Sequence, residues 1–117
     1  MKYDLEERVE KYGESIIDFA KHINVTTITK SITEQLIKAG TSIGANYFEA
    51  NGASSKKDFI NKIYICKKES QETKHWIRMM SISLPQTKDK LRLLWQKAQE
   101  LTLIFQKITN TLNHPKV

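Results

Sequence analysis

Residues Ser55 to Met80 read SKKDFINKIYICKKESQETKHWIRMM, with no glycine or proline to break them. Ser55 and Asp58, three positions apart, resemble a capping box with Asp in place of the usual Glu. Behind that cap, Phe59, Ile63, Cys66, Ser70, Thr73, Ile77 and Met80 recur at steps of three and four. That period puts them on one side of an α-helix, and Pro85 marks its end. On a helical wheel with Glu69 at zero, Phe59, Ile63, Cys66, Ser70 and Ile77 fall between about 60° and 120°, the wall of a core. Ile65, Glu72, Trp76 and Met79 fall between about 280° and 340°, beside Glu69. The remaining arc carries Lys56, Lys57, Ile60, Tyr64, Lys67, Lys68, Lys74, His75 and Arg78. One helix therefore combines an apolar wall, a basic face and a mixed strip between them.

Three more stripes surround it. Leu5, Val9, Tyr12, Ile16, Phe19 and Ile23 alternate steps of four and three, with Asp4 placed as a cap. The run NVTTIT, residues 24–29, interrupts the pattern, so the first helix is expected to stop near Ile23. Ile32, Leu36, Ala39, Gly40, Ile43, Gly44, Tyr47 and Ala50 form the second stripe, ending at the Asn51-Gly52 turn signal. Gly40 and Gly44 share a side and would let a neighbouring backbone come close, while Gly13 costs the first helix about 1 kcal/mol. After Pro85, Thr87 can start a last helix with Leu91, Leu94, Trp95, Ala98, Leu101, Phe105, Ile108 and Leu112 on one side. Four long helices joined by short links predict an all-α, antiparallel up-down four-helix bundle, one domain over residues 1–117.

Composition agrees. The chain of 117 residues is 39% hydrophobic and 27% charged, with four glycines and two prolines, an ordinary globular balance poor in turn residues. Its lone cysteine, Cys66, cannot form an intramolecular disulfide. The acid-rich start lacks the apolar run of a secretory signal, and no stretch is long and apolar enough to span a bilayer, so a cytoplasmic location is expected. The net charge of +6 is uneven: residues 1–28 carry four basic against six acidic side chains, whereas residues 54–84 carry seven against three and residues 85–117 six against two. The second half permits a polyanionic partner such as RNA.

A solitary bundle needs one apolar stripe per helix. The second strip, with Ile65, Trp76 and Met79 beside Glu69 and Glu72, therefore points to self-association, the indole acting as an anchor and the glutamates fixing register. Its competitor is a Trp76 that caps the bundle edge beside two solvated glutamates.

The same residues carry a resemblance. Ser42-Ile43-Gly44-Ala45-Asn46 followed by Glu49-Ala50, then Asp58-Phe59 and Lys68-Glu69 with Glu72-Thr73 and Trp76, resemble the four-helix-bundle family of proteins encoded in 23S rRNA intervening sequences, also called S23 ribosomal proteins. The likeness covers roughly residues 5–112 and rests on the two patterns together; Cys66 departs from it, since a small aliphatic residue is expected there. It implies a bundle that assembles as a ring, typically a homopentamer. It is also similar to the basic accessory proteins of diversity-generating retroelements, which work with reverse transcriptase and RNA. By that likeness Asn46, Glu49, Glu69, Glu72, Thr73 and Trp76 become structural or interface positions.

Other chemistries find less support. Glycines in TSIG, residues 41–44, sit inside a helical period without a Walker lysine or a preceding strand. Glu72 and His75 form a Glu-x-x-His, but di-iron bundles need that element twice, with two further glutamates. His22 and His114 lack carboxylates at ligand spacing. Cys66 shares the wall of Ile63 and Ser70, where a thiol is inert, and Glu69 with Glu72 has no cleft or oxyanion donors for acid-base work. The expectation is a non-enzymatic homo-oligomer without cofactor or metal. Its interface would use Asn46, Glu49, Ile65, Glu69, Glu72, Thr73, Trp76 and Met79, and its nucleic-acid contacts Lys56, Lys57, Tyr64, Lys67, Lys68, Lys74, His75 and Arg78. The competing class is a scaffold that binds only protein, with no nucleic-acid role.

Overall fold

The computed structural model describes residues 4–113. They form four α-helices, α1 Leu5–Ala20, α2 Thr27–Asn51, α3 Lys56–Ser83 and α4 Lys88–Asn113, with one 3₁₀ turn at Pro85–Thr87 and no strand among the described residues. The caps explain where the helices start. Asp4 accepts from the Glu7 backbone N–H at 3.0 Å, and Ser55 accepts from that of Asp58 at 3.0 Å. Thr26 and Thr29 form a reciprocal box, each side chain accepting from the other's backbone N–H.

That box corrects the reading of NVTTIT as an interruption through Thr29. Thr27 to Thr29 are already the first turn of α2, because Thr26 satisfies the orphan donors there. At the other side of the link, α1 stops at Ala20, three residues before Ile23, which stays half-buried after the helix. At 16 residues, α1 is also shorter than its long partners. Thr87 does not cap α4; its hydroxyl donates back to the Leu84 carbonyl at 2.8 Å within the 3₁₀ turn.

The expected stripes meet in one hydrophobic cluster. Val9, Tyr12, Ile16, Leu36, Ile43, Ile63, Cys66, Ile77, Met80, Leu91, Leu101 and Phe105 are all buried within it, so every helix contributes. Three polar residues deepen the core: Ser70, Thr73 and Thr109 are each 0% exposed. Their hydroxyls donate to carbonyls of the preceding turn, Ser70 to Cys66, Thr73 to Glu69 and Thr109 to Gln106, so all three donors are satisfied.

Neighbouring helices touch in a consistent order. Gly44 lies against Val9 and Gly40 against Ile16. Cys66 Sγ reaches the Ile43 carbonyl and Lys62 reaches Glu49. Between α3 and α4, Lys74 donates to Gln99 and Asn113 to the Tyr64 hydroxyl. In each pair, residue numbers fall along one helix as they rise along the other. Helices α1 and α4 touch least, and the Tyr12 hydroxyl, donating to the Leu94 carbonyl at 2.9 Å, ties them across the cleft.

The glycines differ in what they permit. A Cβ at Gly40 would lie 2.8 Å from Cγ1 of Ile16, itself fully buried, whereas the nearest atom to a Cβ at Gly13 is 3.6 Å away. Gly40→Ala is expected to destabilise by about 1–2 kcal/mol, overpacking outweighing the gain of about 1 kcal/mol in helix propensity. Gly13→Ala, in ordinary contact, is expected to stabilise by up to about 1 kcal/mol. Urea midpoints of the two variants should therefore move in opposite directions.

Candidate assembly and nucleic-acid surfaces

Helix α3 presents its second strip at the seam with α2. Ile65, Glu69, Trp76 and Met79 are half-buried and Glu72 is exposed. The indole of Trp76 rests on the core cluster, and the His75 ring meets it edge-on with centroids 4.7 Å apart. Burial pushes the Glu69 carboxyl above its ordinary value; Glu72 adds to this, while Lys68 and Lys38 oppose it. On α2, Asn46 donates to the Ser42 carbonyl at 2.8 Å, and Glu49 pairs with Lys62 at 2.8 Å across the seam. These two hold α2 to itself and to α3, and both keep part of their surface in solvent.

Thr73 takes no place on this strip. Its side chain is fully buried in its own core, with its hydroxyl on the Glu69 carbonyl at 2.7 Å, so the interface position expected for it is corrected to a core position. On the wheel Thr73 falls at about 40°, nearer the core wall than the strip, which already favours that placement.

The basic face is mostly as the wheel places it. Lys56, Lys57, Lys68, His75 and Arg78 are exposed, and Tyr64 is 44% exposed. Lys67 is half-buried. Lys74 departs from the set: its ammonium donates to Gln99 and lies 5.2 Å from the Trp95 ring centre. That contact commits Lys74 to the seam between α3 and α4, and corrects its assignment as an open phosphate contact.

The largest exposed apolar side chains lie elsewhere. Phe48 is 68% exposed, and Val25, Ile28, Ile82 and Leu93 crowd the end of the bundle where the α1–α2 and α3–α4 links lie. Phe48 follows the stripe residue Tyr47 by one position, so its wheel angle points away from the core. That signal was available in the sequence and was missed. Among the described residues no group of three or more His, Cys, Asp or Glu could hold a metal ion, and no helix is long and apolar enough to cross a membrane. His22 Nδ1 lies 2.8 Å from the Asp18 carbonyl, and His114 falls outside the described residues.

A family model described as 23S rRNA-intervening sequence protein matches residues 4–107. The chain belongs to that family. It is also similar to a crystal structure of a protein with unknown function from the S23 ribosomal protein family of Bacteroides thetaiotaomicron VPI-5482, with 26% identity and a TM-score of 0.82 over 92% of this chain and 100% of that one. No curated protein matches.

In this 23S rRNA-intervening sequence protein the one thiol is sealed in. Cys66 is 0% exposed, its Sγ lies 3.6 Å from the Ile43 carbonyl, and burial pushes its pKa up to about 12. Burial raises the Tyr12 hydroxyl as well. Both groups stay neutral in the folded chain. In the unfolded chain the thiol ionises from about pH 8.5 and the phenol from about pH 10. Protons therefore leave only the unfolded state as the pH rises, and stability falls. The loss from Cys66 is expected to reach about 2 kcal/mol by pH 10. Denaturant titrations at pH 7 and pH 10 should show this, and Cys66→Ala should flatten the difference. A thiol reagent at pH 8 should react only once denaturant unfolds the chain.

Proposed function

We propose that this chain is a non-enzymatic, homo-oligomeric protein of the 23S rRNA-intervening sequence type, an antiparallel up-down bundle assembled as a ring-like homopentamer. The observation that carries the reading is the half-covered strip of Ile65, Trp76 and Met79 with Glu69 and Glu72, a second apolar band that one bundle leaves partly in water. A large indole resting half on its own core is the type of side chain that anchors an interface when a second surface covers the rest. The opposed residue order of Val9 with Gly44 and Ile16 with Gly40 supports the antiparallel arrangement. The count of five rests on the family resemblance.

The basic face supports RNA as the partner. Lys56, Lys57, Lys68 and Arg78 offer charge-assisted contacts to phosphates, Lys67 contributes from a half-buried position, and Tyr64 and His75 offer rings on which bases stack. Repeating that face around a ring multiplies a modest field and gives avidity without new contacts. The likeness to accessory proteins of diversity-generating retroelements favours the same partner, directly or through a nucleic-acid-handling protein. The surroundings of such a partner are cytoplasmic.

Light scattering at tens of micromolar is expected to give a mass several times that of one chain, and Trp76→Ala is expected to lower it. A wild-type monomer would overturn the assembly reading; an unchanged Trp76→Ala assembly would remove the indole as its anchor. For nucleic acid, the affinity for a single-stranded RNA should fall by at least about tenfold between 50 and 200 mM salt, and replacing Lys56, Lys57 and Arg78 with Ala should reduce that slope. No retention of RNA at low salt would leave the protein-only scaffold.

A further inference from the structure

The seam between α1 and α2 is left bare. Gly13 on α1 and Thr41, Gly44 and Ala45 on α2 are too small to fill it, leaving an open groove of about 290 Å³. Ile17, 44% exposed, stands on its α1 wall, and Phe48, 68% exposed, stands farther along α2. Glu6, Glu10 and Glu14 follow each other at four-residue spacing along α1, and the groove itself is lined by Glu10 and Glu14 without any Lys or Arg. None of the three acids enters an ion pair among the described residues. A water-exposed apolar floor beside one sign of charge calls for an apolar partner rimmed with the opposite sign.

This chain carries such a surface on its next seam. The strip of Ile65, Trp76 and Met79 carries Glu69 and Glu72, and two exposed lysines act electrostatically on Glu69, Lys38 from α2 and Lys68 from α3. We propose that the α2–α3 strip of one copy seats in the acid-rimmed α1–α2 groove of the next, with Lys38 and Lys68 facing Glu10 and Glu14. The inference rests on the assembly reading above and names the two surfaces that it joins.

Pairing like with like is disfavoured, because a groove facing its own copy sets Glu10 and Glu14 against a second pair of carboxylates. A head-to-tail contact instead brings two lysines, Lys38 and Lys68, to those carboxylates, alongside the Glu69 and Glu72 of the strip. Neighbouring seams of a four-helix bundle face different directions, so repeating the contact curves the chain of copies, as a closed ring requires. The arrangement leaves Lys56, Lys57, Tyr64 and Arg78, which lie outside both seams, open to RNA.

A charge exchange tests the pairing, since all four side chains are exposed and their replacement leaves the core alone. Sedimentation or light scattering should show E10K/E14K and K38E/K68E each raising the half-assembly concentration by at least about tenfold, with helicity unchanged by circular dichroism. The chain carrying all four changes should return to within about threefold of the wild type, because the two faces have exchanged signs. If the wild type assembles but either pair assembles as tightly as it does, or if the fourfold variant regains nothing, these are not the joined surfaces, though the oligomer stands. A wild-type monomer would overturn the contact together with the reading on which it rests.

Discussion

The contact of Ile16 with Gly40 sets the geometry on which the rest of this bundle depends. A branched, fully buried side chain lies where any Cβ on the facing helix would collide with it, so α1 and α2 come closer than side-chain packing ordinarily allows. Close approach excludes large residues along the rest of the same seam. Gly13, Thr41, Gly44 and Ala45 follow from that, and the groove outside is the other face of the same economy. A tight inner contact and an open outer channel are therefore one feature of two helices.

Much of this was legible because the helical period is strong. Steps of three and four put Val9, Leu36, Ile63 and Leu101 on core walls, and all four are buried. The pair Gly40 and Gly44 announced a close neighbour, and α1 supplies it. Helix ends were less legible, since they depend on who satisfies the orphan donors. Thr26 with Thr29 decides the start of α2, and an interrupted apolar pattern says nothing of such a bond. Buried Thr102 and Thr109 went unread because threonine counts as polar in a stripe, although it can return its hydroxyl to its own helix.

The candidate surfaces were legible to the same depth. A wheel gives the angle of each residue on α3 and nothing about the helix alongside. Lys74 and Lys56 share an angle of about 140°, yet Lys74 lies level with Trp95 and Gln99 while Lys56 stands in solvent at the start of α3. Thr73 shows the converse: its place in a motif suggested a surface role, while its angle suggested the core. Phe48 shows a third limit, since an exposed aromatic draws notice only when its surroundings are known.

The uneven ties of α1 have a bearing on how the molecule breathes. The shortest helix leans on α2 over its length but reaches α4 chiefly through long polar arms, the Tyr12 phenol and the Arg8–Glu100 ion pair. Helix α3, between α2 and α4, packs more extensively on both. Thermal opening therefore begins with α1 hinging away on its α2 side, as a door does, while the other three remain a folded frame. In solvent exchange, amides of α1 would lose protection ahead of those in the frame.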